Sequence, residues 1–161
     1  MDAGKVIIFT GTGKGKSSAA LGLALRQAAK GRQVIFIQFL KSGEIAESEL
    51  FKRLEPQIRF FRFEKSERAF EEMSDEERRE ETENLRNGLH FAKKVLDTAE
   101  CDILVMDEVL GLIDNHIITL EELSGILARR GDTRVIITGV SMSSDYCSIA
   151  DEISEITTFE K

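Results

Sequence analysis

The chain has 161 residues, enough for one domain with a proper buried core and no need of disulfide staples. Apolar residues make up 42% and charged residues 32%, the balance of an ordinary globular domain, and a formal net charge of −7 offers no basic footprint for nucleic acid. No run approaches the roughly 18 apolar residues a membrane crossing takes. The opening MDAGKVIIFTGTG lacks both the apolar stretch and the cleavage pattern of a signal peptide, so the expected compartment is the cytoplasm.

In chain order, KVIIFT (5–10) is a short, β-branched apolar run that reads as a buried strand. KSSAALGLALRQAAKG (16–31) reads as a helix, rich in alanine and leucine, with Gly31 where a C-terminal glycine belongs. QVIFIQFL (33–40) is a second strand, and GEIAESELFKRL (43–54) a short helix stopped by Pro56. IRFFRF (58–63) is a third strand. Ser74 and Glu77 have the spacing of a capping box, with a long helix expected to about Thr98 and Leu85, Leu89, Ala92, Val95 and Leu96 on one face. DILVMDE (102–108) is a fourth strand. Thr119 and Glu122 form a second capping box before LEELSGILARR. TRVIITG (133–139) is a fifth strand, SSDYCSIADE a short helix or turn, and ISEITTF (153–159) a last strand.

Strands alternate with helices, and the strands are continuous apolar runs. That combination predicts an α/β fold of three layers, a mostly parallel central sheet with helices on both faces, spanning 1–161 as a single domain. Cys101 and Cys147 have no partner spacing and read as free thiols. His90 and His116 stand too far apart, without a Cys or carboxylate grouping, to suggest a metal site. Residues 64–83 hold ten acids against four bases, nearly the whole net charge; they read as a solvated helix start or as a lid.

The stretch GTGKGKSS (11–18) lies between the first strand and the first helix, where a phosphate loop belongs. Gly11, Gly13 and Gly15 let the backbone curl so that its amides point inward, and the helix N-terminus adds partial positive charge. Lys16 supplies a full charge, Ser17 a hydroxyl for a magnesium ion, and Lys14 a second cation. The usual pattern G-x-x-x-x-G-K-[ST] is broken, because only three residues separate Gly11 from Gly15 and Thr10 stands at the usual glycine position. The run ILVMDE ends in Asp107 and Glu108, the kind of acidic strand end that faces such a loop and holds magnesium.

The string from Thr10 to Gly43 resembles the ATP:corrinoid adenosyltransferases of the BtuR/CobO/CobP family. That family has a modified loop T-G-x-G-K-G-K-[ST]-[ST], an A-A-x-G-x-A-x-R helix and a V-x-x-x-Q-F-x-K-G strand. Here these read Thr10 to Ser18, Ala19 to Arg26, and Val34 to Gly43 with Gln38, Phe39 and Lys41, Ser42 intervening before Gly43. ILVMDEV and VIITG resemble its acidic strand and the next one. The resemblance implies a P-loop NTPase fold of the RecA-like type, with ATP and a reduced corrinoid as substrates, magnesium as cofactor and a homodimer as assembly. In such enzymes cobalt(I) attacks the 5′ carbon of ATP and triphosphate leaves, so the altered loop suits a triphosphate presented in reverse order. The carried-over roles are phosphate and magnesium contacts for Gly11, Thr12, Gly13, Lys14, Gly15, Lys16, Ser17 and Ser18. Lys16 and Glu108 would be catalytic, and Ser17, Asp107 and Glu108 would hold the metal. Arg26 is either a further nucleotide contact or a solvated helix charge.

The chain departs from the family pattern after Gly139, where Val140-Ser141-Met142 stand in place of an arginine and an A-P run, although Ala150-Asp151 match. The family's basic, glycine-containing tail and its tryptophan are absent; Phe60, Phe61, Phe63 and Phe70 stand in the middle region, as core or as a corrinoid platform. These departures leave open an alternative, an ATP-binding module without corrinoid activity that serves a regulatory or assembly role.

Overall fold

The structure is a computed structural model that describes residues 4–40, 48–66 and 68–161. Its centre is a six-stranded sheet: β1 (Val6–Thr10), β2 (Val34–Gln38), β3 (Ile58–Arg62), β4 (Ile103–Asp107), β5 (Arg134–Thr138) and β6 (Glu152–Glu155). The order is β3-β2-β4-β5-β1-β6, and every pairing is parallel. Among the described residues five α-helices surround it: α1 (Lys16–Ala28), α2 (Ser48–Lys52), α3 (Asp75–Asp97), α4 (Leu110–Asp114) and α5 (Leu120–Leu127).

The continuous apolar runs are explained by burial on both faces. Side chains alternate along each strand, so Ile35, Ile37, Leu104, Met106, Val135 and Ile137 enter one core. Val34, Phe36, Ile103, Val105 and Ile136 enter the other. Leu85, Leu89, Ala92, Val95 and Leu96 of α3 cover the first core with Leu123 and Leu127 of α5. Ala20 and Ala24 of α1 cover the second, where small side chains let the helix lie close to the sheet. The edge strand β6 is largely exposed and carries Glu152 and Glu155, charges that discourage pairing with another sheet.

The predicted α/β fold and its three layers are present. Of the helix expected over 43–54, Ser48–Lys52 is helical, and 43–47 lie outside the described residues. The last strand is shorter than expected: it ends at Glu155. The sequence reading missed α4, which begins without a capping side chain. Both capping boxes are half-formed. Ser74 and Thr119 accept the amides of Glu77 and Glu122 at 3.2 and 3.1 Å. The two carboxylates, expected to reach back, bind Arg68 and Arg86 instead.

The acidic stretch is not uniformly solvated. Glu81 is buried and accepts the amides of Lys65 and Ser66 at 2.8 and 2.7 Å, which fixes the turn entering the segment. The phenylalanines divide. Phe60 stacks on Phe36 and Phe51, and Phe61 and Phe63 pack on Phe91, all as core. Phe70 lines a cavity described below. Cys101 is buried and Cys147 exposed, both free thiols.

Candidate nucleotide site

Four strands end side by side at one edge of the sheet, and their last residues are Gln38 (β2), Asp107 (β4), Thr138 (β5) and Thr10 (β1). The carboxyl edge of a parallel sheet is where such folds bind ligands. The glycine-rich loop leaves β1 there and enters α1 at Lys16. Gly15 immediately precedes the helix at φ 107°, a left-handed conformation open to glycine and strained for other residues. Gly13 is needed for a different reason: a Cβ there would stand 2.6 Å from the carbonyl oxygen of Ile156.

The loop is braced by segments far away in sequence. The Gly11 amide donates to Val140 O at 3.1 Å, and the Gly13 amide to Ile156 O at 2.8 Å. Thr10 donates its hydroxyl to Ser141 O at 2.6 Å. Lys14 donates its amide to the Thr158 hydroxyl at 2.7 Å, and its ammonium pairs with Glu160 at 2.8 Å. Lys16 curls back, its ammonium donating to Gly13 O at 2.8 Å. The charge is thereby held over the loop rather than extended into solvent.

Asp107 is 1% exposed and accepts the hydroxyls of Ser17 at 2.8 Å and Thr138 at 2.7 Å. Thr138 also accepts the Glu108 amide at 2.8 Å, so one hydroxyl holds both acids. Glu108 has φ 59°, an uncommon conformation for a residue with a side chain, and such outliers cluster at functional sites. Burial pushes the Asp107 carboxyl above the usual range, opposed by hydrogen bonds from Thr138, Ser17 and Gln38 and by the charge of Lys16. Glu108 is raised by burial first and then by the Asp107 charge; Lys16 opposes this and Asp114 adds to it. Two buried acids held this way, with a lysine close by, are an arrangement that a divalent cation relieves.

The structure thus brings Lys16, Ser17, Asp107 and Glu108 together beneath the loop of Gly11, Gly13 and Gly15. Thr12, Lys14 and Ser18 lie on its exposed side. Arg26 is not brought to the site. It is exposed on the last turn of α1, ten residues and about 15 Å of helix axis beyond Lys16. Lys41 lies outside the described residues. Beside Glu108 opens a cavity of about 570 Å³, bordered by Glu64, Arg68, Phe70, Glu71 and Asp114. The acidic stretch therefore forms one wall of a cleft next to the nucleotide site.

Parallel strands in this order, with a phosphate loop after β1 and a buried acidic end on β4, make this a P-loop nucleotide-binding fold. Solved structures agree on the fold: the flagellar accessory protein FlaH of Methanocaldococcus jannaschii (TM-score 0.63, 18% identity, 99% of this chain and 75% of that one) and a KaiC-like protein of Pyrococcus horikoshii (TM-score 0.65, 17% identity, 98% and 75%). The family model described as ATP:corrinoid adenosyltransferase BtuR/CobO/CobP matches residues 2–161, and the chain belongs to that family. The corrinoid adenosyltransferase CobA of Salmonella typhimurium is 33% identical over 156 residues, covering 96% of this chain and 77% of the relative. The corrinoid adenosyltransferase of Escherichia coli K12 is 31% identical over the same shares.

Proposed function

We propose that the protein is an ATP:corrinoid adenosyltransferase acting on reduced corrinoid. Cobalt(I) of the substrate forms a bond to C5′ of ATP, the C5′–O bond breaks, and its electron pair leaves with triphosphate. The corrinoid carries the nucleophile, and the protein binds, orients and neutralises. The observation that carries this reading is the tie between Ser17 and Asp107 at 2.8 Å, which joins the family's modified loop to its acidic strand end in one site. The alternative of a module without corrinoid activity is not favoured, because the family match spans 2–161 and so runs past the divergent residues after Gly139.

In this reading 1–161 form one nucleotide-binding domain. The N-terminus of α1 and Lys16 hold the triphosphate, the amides of Gly11, Gly13 and Lys14 being engaged by Val140, Ile156 and Thr158, with the Lys14 ammonium and the hydroxyls of Thr12 and Ser18 at its outer side. Lys16 stabilises the negative charge that collects on the leaving triphosphate. Magnesium fits the residues present. Among the described residues no group of three or more His, Cys, Asp or Glu converges, and magnesium needs only one or two carboxylates beside substrate phosphates. Ser17 and Asp107 would hold it, with Glu108 adjoining, and it would neutralise phosphate charge. The cavity beside Glu108 would take the corrinoid edge. Among the described residues no helix is long and apolar enough to cross a membrane. We place the protein in the cytoplasm as a homodimer, which sedimentation would test.

The decisive assay mixes the protein anaerobically with ATP, magnesium and chemically reduced cobalamin, and follows the visible spectrum for the light-sensitive cobalt–carbon product. Product that depends on Lys16 and appears with intact triphosphate is the expected result. ATP binding without product overturns the transferase reading in favour of the nucleotide-binding module.

A further inference from the structure

Gln38 ends β2 directly beside Asp107, its register partner on β4. It is 8% exposed, and its side-chain amide lies against the Asp107 carboxyl, whose charged form it favours. Its carbonyl oxygen Oε1 is fully buried and has no hydrogen-bond partner. Buried acceptors are nearly always satisfied, and one that is not signals a partner that arrives with a ligand, water or ion. The neighbourhood says what that partner is. Asp107 already accepts from Ser17 and Thr138, and Lys16 bears on it electrostatically. All of these are donors or cations, and none reaches Oε1. What this corner lacks is a donor next to the carboxylate, and a water bound to a divalent cation supplies one. Magnesium keeps several of its waters when held by few protein ligands, so its aqua shell needs acceptors around it.

We propose that Gln38 is a positioning residue of the cation site, its carbonyl oxygen accepting a hydrogen bond from a water on the divalent ion at Ser17 and Asp107. The inference rests on the cation site read above. The Gln38 amide group orients Asp107 and its oxygen orients the hydrated ion, so one side chain fixes both. Outer partners of this kind are worth roughly 10-fold to 100-fold in metal affinity.

The test is calorimetric titration of ATP into the protein with magnesium and with EDTA, together with thermal unfolding of the ligand-free protein. Gln38→Leu keeps the bulk and removes the acceptor. It is expected to unfold no earlier than the parent and to bind ATP equally in EDTA, while losing about 10-fold or more of the magnesium-dependent gain. Gln38→Glu keeps an acceptor and loses the donor to Asp107, and is expected to retain the gain. Should Gln38→Leu fail to fold, Gln38→Met fills the same space flexibly and stands in for it. Full retention of the magnesium gain in the Leu variant overturns the proposal, and so does an equal loss in EDTA and magnesium. Loss in Gln38→Glu as large as in Gln38→Leu also overturns it, because the donor to Asp107 would then be what matters. A parent protein that gains nothing from magnesium is a separate result, which removes the cation site itself.

Discussion

Thr138 donates its hydroxyl to Asp107 at 2.7 Å while accepting the amide of the next residue, Glu108, so a buried hydroxyl on β5 sets both acids at the end of β4. Thr138→Val keeps the shape and removes both bonds. It leaves a buried amide without an acceptor and Asp107 without one donor, at a cost of about 1–3 kcal/mol. Chemical denaturation should show that loss, and Thr138→Ser should recover most of it. Unchanged stability in the valine variant would mean the hydroxyl is incidental.

Lys16 and Lys14 should separate cleanly. The Lys16 ammonium is folded over the loop onto Gly13, whereas that of Lys14 is exposed and paired with Glu160. Charge-assisted hydrogen bonds are worth about 1.5–3 kcal/mol, so Lys16→Ala should weaken ATP binding by roughly tenfold to a hundredfold. Lys14→Ala should weaken it less and leave thermal stability unchanged. Calorimetry on both variants decides; an equal loss would place the two lysines in equivalent roles.

The loop glycines fail by different routes. Gly15→Ala puts a side chain into a left-handed conformation with open space around it, a cost of about 1–2 kcal/mol from backbone strain. Gly13→Ala meets the Ile156 backbone and must displace the segment after β6. Limited proteolysis should therefore cut near the C-terminal residues faster in the Gly13 variant than in the Gly15 variant. Equal rates would show that the contact with Ile156 does not hold that segment.

Burial pushes the Cys101 thiol up to about 12 from its ordinary 9.0, whereas Cys147 is exposed. At pH 8 a thiol reagent should titrate one cysteine in the native protein and two in the unfolded one. The linkage has a definite sign. Between about pH 9 and about pH 12 the unfolded thiol ionises and the folded one stays protonated, so the folded state binds more protons and loses stability as pH rises. Cys101→Ala should flatten that part of the stability profile.

Arg26→Ala should leave ATP affinity unchanged and shift stability by less than about 0.5 kcal/mol, as for an exposed charge remote from the loop. Weakened nucleotide binding would restore the residue to the site.

Much of the fold was legible because burial on both faces writes itself as unbroken runs such as VIFIQ and ILVMD, and because GTGKGKS must curl. Asp107 and Glu108 were legible as a strand end. Thr138 and Gln38 were not legible from spacing: they meet Asp107 only once β5 and β2 pair on either side of β4, at separations of 31 and 69 residues. α4 was hidden because Glu108, not a capping side chain, turns the backbone into it. The capping carboxylates were misread because arginines brought in by the fold, Arg68 and Arg86, compete for them with greater charge. The motif left Arg26 open between a nucleotide contact and a solvated charge, and only the helix shows how far along α1 from the loop it stands.

Residues 156–160 run along the phosphate loop, and through Ile156, Thr158 and Glu160 they engage Gly13 and Lys14. A shift of the loop on nucleotide binding would reach this segment through those contacts. An environment-sensitive dye on a cysteine at position 161 would therefore act as an optical gauge of nucleotide occupancy. A bulky group attached at that point would sit against the loop.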